Sequence, residues 1–511
     1  MRRLSSLLRV AGPVLVAAVL SACGGVAPSM RAPETEPKAM QPFAAVAVVD
    51  AGPLAGMHFR HYGVNPTVDT TEEPRSSFAL SADTATWEVT RTHLAQGRLP
   101  EPAVVRIEDF VTAFHEDAVP APTDGVFALE SEAFPSPNRP GYHVLRLALK
   151  ARMAPPTPVR LVAVIDVAAD PERLALARET LRQAFAGLGS ADEVGLVAGD
   201  GRVLLAPQAP GAALSMLADL ETSAPVGQAG LAAAYTLASQ GAHQRQVIYC
   251  GDGRADREAR AFDAVVATAE AGAALGVGLT AVGLGPGRYD DDRLARLARA
   301  GRGRYLYVDA GTAALGLAER LPTHRPVVAR EVRAEVAFDP TAVIRYRLLG
   351  YERHAERAAD AVVVPGGDVV AGQANGILYE VKLAPGNTSD LGMLSVRYRP
   401  MEGGPLATFQ APLPRRVVRP TYEAASGAAR LALVVAALGE KLRGAYWVRG
   451  VGYPDLLKQF EGLPADVRQR ADARGLGTLL GQAAVLDQRG DPFAGQAPAV
   501  GMDFDHVPVV Q

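Results

Sequence analysis

The side chains that most often carry out catalysis are present in the sequence, but not at the spacings of known catalytic motifs. The nine histidines include no His-Glu-x-x-His pattern, which would bind zinc, and no Gly-x-Ser-x-Gly pattern presents a serine nucleophile. The segment GVGLTA (276–281) imitates a dinucleotide-binding loop. It follows a predicted helix and enters a predicted strand, which is the reverse of the order that phosphate binding requires. The sequence therefore assigns no catalytic residue, and we predict a protein that is not an enzyme.

The two cysteines stand in different settings. Cys23 closes the run Leu20-Ser21-Ala22-Cys23, which follows a basic start and an apolar stretch too short for a permanent transmembrane helix. These four residues resemble the bacterial lipobox, so we expect the signal to be cut before Cys23 and its thiol to carry lipid, palmitate included. The alternative is an ordinary secretory signal that happens to contain a cysteine. Cys250 lies in a predicted buried strand and is interpreted as a small hydrophobic residue without a disulfide.

Composition places the chain among globular proteins. Its length of 511 residues is enough for about three or four domains, and 48% of the residues are hydrophobic against 21% charged. The formal net charge is −3, from 52 basic and 55 acidic residues. Because nucleic-acid binding needs a clustered positive surface, we exclude nucleic acid as a partner.

The central block, residues 157–324, has the clearest pattern. An almost unbroken apolar run at 159–167 indicates a strand that is buried on both faces. Predicted helices and strands alternate after it, which is typical of a mostly parallel sheet covered on both sides. The predicted strands are 159–167, 193–198, 202–205, 247–250, 279–284 and 304–308, and the predicted helices are 171–187, 212–221, 228–239, 257–275, 290–300 and 312–321. The fold class is therefore α/β, with a doubly wound, mostly parallel sheet.

The segments around this block have other patterns. Before it we assign a signal peptide at 1–22, a Pro/Ala/Gly-rich tether at 23–75 that includes one strand at 43–49, and a small α+β flank at 76–156. Short predicted strands after it indicate a β-sandwich-like domain at 325–420. The C-terminal part is assigned to a helical region at 421–489, with helices at 424–443, 454–460 and 465–488, and an irregular tail at 490–511.

Three long motifs carry a resemblance to a known family. The segment FALSADTATWEVTRTHLAQGRLPEPAVVRIEDFVTAF (78–114) is similar to the N-terminal flank of bacterial lipoproteins built around a von Willebrand factor type A (vWA) domain. EVAFDPTAVIRYRLLGYERH (335–354) is similar to their β-region, and the helical stretch from Tyr422 resembles their C-terminal domain. The central block resembles the vWA domain itself and is called the A domain below. The resemblance implies a recognition module.

The resemblance also implies a place for a metal ion. In many vWA domains Mg²⁺ or Ca²⁺ lies at the carboxyl end of the sheet, held by Asp-x-Ser-x-Ser after the first strand, a threonine from a middle loop and an aspartate after the fourth strand. Here the first strand runs into DVAAD (166–170), so Ala168 and Asp170 replace the two serines. The threonine position falls at Pro225, which has no side-chain oxygen, and the last aspartate is kept as Asp252.

Two interpretations of Asp166, Asp170 and Asp252 remain open. In the first, the site is degenerate and holds no ion, and the aspartates cap helices or accept hydrogen bonds from loop amides. In the second, the three carboxylates still hold Mg²⁺ or Ca²⁺, and adhesion depends on the metal. Three negative charges would neutralise the ion, so even then it would attract a partner's carboxylate less.

A partner-binding surface is predicted at this end of the sheet, because open α/β folds bind ligands beyond the carboxyl ends of their strands. Around the three aspartates it comprises Ala168, Pro225, Gly227, Gly253 and Arg254.

A basic stretch lies toward the end of the A domain. We assign it to a solvated helix face, and the alternative is a surface for an anionic partner or a lipid headgroup. Its members are Arg288, Arg293, Arg296, Arg302 and Arg304.

These features predict a membrane-anchored binding or scaffolding protein of the cell envelope. We expect unidentified envelope proteins as partners, membrane contact through the N-terminal lipid, and neither a cofactor nor a small-molecule substrate. Gly24 is not the aspartate that retains lipoproteins in the inner membrane, so family analogy favours the outer membrane if the host has two. The alternatives are metal-dependent adhesion through the three aspartates, and an enzyme of unrecognised type, which a buried carboxylate pair in a closed pocket would favour.

Overall fold

The computed structural model describes residues 57–490, apart from gaps at 115–118, 168–169, 222–226, 241–243, 255–258, 286, 288, 314–324, 353–365 and 402–403. The predicted lipid site Cys23, the strand at 43–49, the tail beyond 490 and most of the helix at 312–321 lie outside the described residues. So do Ala168, Pro225 and Arg288. Among the helices of the described part, none has both the length and the hydropathy needed to cross a bilayer.

Eighteen strands are found in the described residues. They are β1 (Met57–His58), β2 (Val68–Asp69), β3 (Arg75–Ala79), β4 (Phe127–Pro135), β5 (His143–Ala151), β6 (Val159–Asp166), β7 (Glu193–Ala198), β8 (Val203–Gln208), β9 (Gln244–Gly251), β10 (Gly278–Leu284), β11 (Tyr289–Asp290), β12 (Tyr305–Val308), β13 (Val327–Phe338), β14 (Val343–Leu349), β15 (Gly367–Val370), β16 (Ala374–Leu383), β17 (Gly392–Pro400) and β18 (Ala407–Leu413).

The α-helices of the same residues are α1 (Ala85–Ala95), α2 (Ile107–Ala113), α3 (Pro171–Ala186), α4 (Pro210–Met216), α5 (Gly227–Ala238), α6 (Ala259–Ala274), α7 (Asp291–Ala300), α8 (Ala310–Ala313), α9 (Gly427–Leu442), α10 (Tyr453–Glu461), α11 (Ala465–Arg468) and α12 (Leu476–Leu486).

The A domain is built on a six-stranded sheet with the order β12-β10-β9-β6-β7-β8. All neighbouring strands are parallel except β7 and β8. One face packs on α3 and α4 and the other on α5, α6 and α7, so each face has its own apolar core. Burial on both faces explains why β6 is apolar along almost its whole length. The predicted doubly wound, mostly parallel sheet is confirmed.

Two further sheets share one apolar core and form the β-sandwich-like part. One has the order β15-β13-β17-β18 with β3 also paired to β13, and the other has the order β2-β14-β16-β5-β4. The sequence divides these strands between a flank at 76–156 and a domain at 325–420. In space they are mixed, because β3 lies against β13 and β5 lies between β4 and β16.

The A domain is therefore an insertion between two strands of the sandwich, β5 and β13. The chain enters at Pro158 and leaves at Arg325, and one residue at the start of β9 contacts both crossing points. The amide of Gln244 donates to the carbonyl of Pro158 at 2.9 Å, and its Nε2 donates to the carbonyl of Arg325 at 3.1 Å.

Residues 57–75 differ from the tether that their composition predicts. Here β2 pairs with β14, and Asn65 Nδ2 donates to the carbonyls of Leu348 at 3.0 Å and Gly350 at 2.6 Å. A tether has no such fixed partners, so this part of the assignment 23–75 is corrected: from residue 57 onward the chain packs first on the A domain, where β1 pairs with β11, and then on the sandwich.

The C-terminal helices pack on the helices of the N-terminal flank, and Ile107 and Phe110 share an apolar core with α9. The single helix predicted at 465–488 is wrong, because it is divided into α11 and α12. Between them Arg470 Nη2 donates to the carbonyl of Phe114 at 2.9 Å, and the amide of Ala473 turns back to the carbonyl of Arg470. This contact with the flank holds the chain in a turn.

Candidate functional site

Asp166 ends β6 and is buried, with 3% of its surface exposed. The hydroxyl of Tyr249, from the neighbouring strand β9, donates to Asp166 Oδ2. Gly199 lies directly above the carboxylate, since a Cβ at that position would be 2.5 Å from Asp166 Oδ1. The side chain that the resemblance makes the first metal ligand is therefore enclosed by its own sheet and the loop after β7.

Asp170 is the N-cap of α3. Its Oδ1 accepts from the amide of Arg173 at 3.0 Å, and Pro171 follows as the first helical residue, where a missing amide hydrogen has no cost. Its side chain is 39% exposed. The replacement of a serine by this aspartate thus supplies a helix cap.

Asp252 follows β9 and bonds with both of its oxygens. Oδ1 accepts from the amide of Arg254 at 2.9 Å, and Oδ2 accepts from Arg173 Nη1 at 2.9 Å. The next residue, Gly253, has φ +74°, and a Cβ there would meet the carbonyl of Asp290 at 2.7 Å. The loop therefore requires glycine at this position.

Arg173 connects these groups, although it is not among the site residues predicted from the sequence. Its Nη1 lies 2.9 Å from Asp252 Oδ2 and 3.6 Å from Asp170 Oδ2, and its Nε donates to the carbonyl of Leu284 at 3.0 Å. The side chain is 8% exposed. The signal that could have identified it is its position three residues after a helix-capping aspartate, on the turn nearest the strand ends.

The metal ion that the resemblance implies does not fit this arrangement. The carboxylates of Asp170 and Asp252 already face a guanidinium, and the carboxylate of Asp166 accepts a tyrosine hydroxyl. Among the described residues, no group of three or more His, Cys, Asp and Glu side chains is placed to hold a metal. The guanidinium of Arg173 lies between the carboxylates of Asp170 and Asp252 and supplies the positive charge that an ion would bring.

The rest of the predicted surface is described in part. Gly227 is the first residue of α5 and is buried, while Arg254 is exposed beside Asp252. Of the predicted surface residues that the structure describes, Arg254 is exposed, and the carboxylates of Asp170 and Asp252 face the buried guanidinium of Arg173.

The basic stretch is divided by the end of α7. Arg293 lies 3.5 Å from Asp290 and Arg296 lies 3.0 Å from Asp263, as expected for pairs at a helix surface. Arg302 and Arg304 are beyond the helix, so their assignment to its solvated face is wrong. They follow a turn at Gly301, which takes them to the opposite end of the sheet from Asp166.

Cys250 is fully buried in β9, and burial raises the pKa of its thiol to about 12. The thiol therefore stays protonated near neutral pH and packs as a small hydrophobic group, as the sequence predicts.

Comparisons with known proteins agree with this fold. A family model described as "von Willebrand factor" matches residues 53–146, and one described as "Uncharacterized protein YfbK, C-terminal" matches residues 326–389. These two segments contain several of the sandwich strands on either side of the A domain, while β17 and β18 lie beyond the second. The uncharacterized protein YfbK of Escherichia coli (strain K12) is 28% identical over 445 residues, which are 78% of this chain and 76% of YfbK. The chain is therefore similar to YfbK over most of its length, and its residues 53–146 match the von Willebrand factor model.

Solved structures of vWA proteins are also similar to this chain. The von Willebrand factor type A protein from Catenulispora acidiphila has 15% identity and a TM-score of 0.42, covering 70% of this chain and 89% of its own. The ArnB paralog VWA2 from Sulfolobus acidocaldarius has 14% identity and a TM-score of 0.35, covering 70% of this chain and 96% of its own.

Proposed function

We propose that this vWA-domain protein is a lipid-anchored, non-enzymatic binding or scaffolding protein of the cell envelope, and that its A domain binds a protein partner without a metal ion. The observation that carries the proposal is the position of Arg173, which lies 2.9 Å from Asp252 and 3.6 Å from Asp170. A fixed internal cation there makes the strand ends independent of divalent metal.

The charge of this site determines how a partner is recognised. A metal site of the usual vWA kind is undercharged and completes its shell with a carboxylate from the partner. Here two carboxylates surround one buried guanidinium, and the neighbouring cation at the surface is Arg254. A partner is then held by shape and by hydrogen bonds to Asp170, Asp252 and Arg254.

The alternative, metal-dependent adhesion through Asp166, Asp170 and Asp252, requires Arg173 to leave. That would break a pair between side chains that are 8% and 19% exposed, together with the bond to the carbonyl of Leu284. Separating one partner of such a pair leaves a partly buried charge uncompensated, so the ion would have to offset this cost before it bound.

Titration calorimetry distinguishes the two mechanisms. We expect no saturable binding of Mg²⁺, Ca²⁺ or Mn²⁺ by the wild-type chain at millimolar concentrations. The variant Arg173→Ala removes the internal cation, and we expect it to gain weak divalent binding. Arg182→Ala, an exposed arginine of the same helix, is the matched control and should gain none. Saturable binding by the wild type that Asp166→Ala abolishes would refute metal-independent recognition.

The lipid anchor is tested by the two cysteines. Cells expressing the chain are fed an alkyne-labelled fatty acid, and the label is coupled to a fluorophore after lysis. We expect labelling that Cys23→Ser abolishes and Cys250→Ser, the control at a buried thiol, preserves. Equal labelling of both variants, or no label in the wild type, would contradict lipidation at Cys23.

The binding surface is tested in intact cells with a photocrosslinking amino acid. Placed at Arg254, beside the strand ends, it should give a discrete protein adduct whose yield does not change with EDTA. Placed at Arg182 it should give none. An adduct that EDTA removes would favour metal-dependent adhesion, and adducts of equal yield at both positions would argue against this surface.

A further inference from the structure

A cleft lies at the end of the A-domain sheet opposite to Asp166, where β9, β10 and β12 begin and where β13 and β15 of the sandwich approach. Its volume is about 460 Å³, which is the size of small-ligand sites. Four arginines line it, and we call it the arginine cleft. They are Arg245, Arg302, Arg304 and Arg330.

Two of these guanidinium groups are held close together over Gly276. Arg245 Nη2 donates to the carbonyl of Leu275 at 2.9 Å, and Arg330 Nη2 reaches the carbonyl of Gly276 at 3.5 Å. A Cβ at Gly276 would lie 2.9 Å from Arg330 Nη1 and 3.2 Å from Arg245 Nη2. The two positive charges of Arg245 and Arg330 therefore border the same small volume. Their repulsion costs free energy unless negative charge compensates it.

The backbone on both sides of the cleft is strained. Arg302 has φ 54° and Glu331 has φ 55°, a left-handed conformation that non-glycine residues rarely adopt. The pairing of β13 with β17 shifts between Arg330 and Arg333, which is a β-bulge at Glu331. Bulges and left-handed residues of this kind redirect side chains and are concentrated at functional sites. Here the bulge lies beside Arg330, which lines the cleft.

Among the described residues that line the cleft, negative charge comes from a single side chain. Asp368 is the carboxylate in its lining and lies 3.9 Å from Arg330 Nε, while Glu331 pairs with Arg302 at 3.5 Å. Arg330 Nε is buried and donates no hydrogen bond to any described residue. With the guanidinium groups of Arg245 and Arg330 and the carboxylate of Asp368 in its described lining, the cleft is suited to an added anion.

Part of the remaining wall is apolar, beside the polar residues Thr157, Gln244, Gln246 and Thr280. Leu279, Val327, Val370 and Met401 line the same space, and the side chain of Met401 is exposed at its edge. A ligand that fills this volume therefore has a strongly charged end and an apolar part.

We propose that the arginine cleft binds an organic phosphate, in which the dianionic phosphate contacts Arg245 and Arg330 and the organic part lies against Leu279, Val327 and Met401. The phosphate is that of either a soluble phosphate ester or an anionic phospholipid headgroup. The site lies at the other end of the sheet from Asp166, so this proposal and the proposed function can each fail alone.

Titration calorimetry of the full chain at low ionic strength tests the cleft with named probes: glycerol 3-phosphate, dihexanoyl phosphatidic acid and, as the neutral comparison, dihexanoyl phosphatidylcholine. We expect saturable binding of at least one of the two anionic probes and none of the phosphatidylcholine. Binding of glycerol 3-phosphate identifies the soluble source, and binding of phosphatidic acid alone identifies the headgroup. Binding of neither anionic probe at millimolar concentration overturns the proposal.

Three variants assign the binding to the cleft. Arg330→Gln should lower the affinity for the probe at least about tenfold, because it removes a charge-assisted contact. Met401→Glu places a negative charge in an exposed apolar wall and should weaken binding without disturbing the fold, which keeps the test valid if Arg330→Gln unfolds the chain. Arg182→Gln, on an exposed helix surface, should bind like the wild type. Equal affinity of Met401→Glu and the wild type would place the anion elsewhere and refute the cleft.

Discussion

Arg347 Nη2 lies 2.9 Å from Glu440 Oε2, and each side chain is only 1% exposed. The pair joins β14 of the sandwich to α9 of the C-terminal helices. It is part of a chain of buried charges, since Arg347 Nε also contacts Glu380 at 2.9 Å and Glu440 also accepts from Arg443. The register between the sandwich and the helical region is therefore fixed by ion pairs and not only by apolar packing.

Removing the charge of Glu440 should destabilise the chain strongly. Glu440→Gln leaves Arg347 and Arg443 buried with too little negative charge, and we expect the free energy of unfolding to fall by about 3 kcal/mol. Urea denaturation measures the change. Glu461→Gln, at an exposed position of α10, is the control and should lie within about 0.5 kcal/mol of the wild type. A similar small loss in Glu440→Gln would show that the buried network does not support the fold.

The same carboxylate predicts how stability depends on acid pH. Burial alone would raise the pKa of Glu440, but Arg347 and Arg443 outweigh it and lower the pKa from 4.5 to about 2. A carboxylate with a depressed folded pKa stabilises the native state above its unfolded pKa, and this contribution is lost as the pH falls through the folded value. The wild type should therefore lose stability between about pH 5 and pH 2 more steeply than Glu440→Gln. Melting temperatures across this range check it, and parallel curves would contradict it.

Gly253→Ala should destabilise the loop that carries Asp252. The residue has φ +74°, and the added Cβ would lie 2.7 Å from the carbonyl of Asp290. We expect a loss of about 1–3 kcal/mol, measured by urea denaturation. Gly211→Ala is the matched control, because a Cβ there meets nothing within 4 Å and the residue lies in α4, where alanine is the better helix former. If both substitutions lowered the free energy of unfolding, the strained turn at Gly253 would not explain the loss.

Asp368 should affect the pH dependence of stability in the sense opposite to Glu440, because its pKa is raised and not lowered. Burial raises the pKa of Asp368 to about 6, against the opposing effect of Arg330 and Arg302 and with a smaller contribution from Glu331. A carboxyl with a raised folded pKa stabilises the native state when protonated, so stability is lost as the pH rises through about 6. We therefore compare the free energy of unfolding of Asp368→Asn with that of the wild type at each pH. The difference, variant minus wild type, should be greater at pH 8 than at pH 5 by on the order of 2 kcal/mol. Asp263→Asn, which is 64% exposed, should show no such difference.

Much of the A domain could be predicted from the sequence because its local patterns are strong. The prediction of a strand at 159–167 corresponds to β6, and the prediction of a helix at 171–187 corresponds to α3, since burial of a sheet on both faces leaves a continuous apolar signal. The sandwich was harder. The strands β2, β4, β15 and β18 were not predicted, and the pairing of β3 with β13 joins residues that a whole domain separates in the chain. Local patterns carry no information on such partners.

The candidate site was predictable in position but not in chemistry. Asp166, Asp170 and Asp252 do lie at the carboxyl ends of the strands, as the order of elements requires. That Arg173 turns between two of them depends on a side-chain conformation, which a single arginine in a helix does not reveal. The arginine cleft was predicted only in part. Arg302 and Arg304 belong to the basic stretch for which an anionic partner or a lipid headgroup was the alternative, whereas only the tertiary fold brings Arg245 and Arg330 beside them.

The insertion of the A domain between β5 and β13 has a mechanical consequence. A partner that pulls on the strand ends near Asp252 transmits its force to the sandwich through two chain segments, at Pro158 and at Arg325, and both contact Gln244. The segments are loaded side by side, so the tension divides between them and neither carries the whole load. In a domain joined in series by one linker, the same force would act on a single segment. If the A domain binds a partner as proposed, this attachment is suited to a load on it.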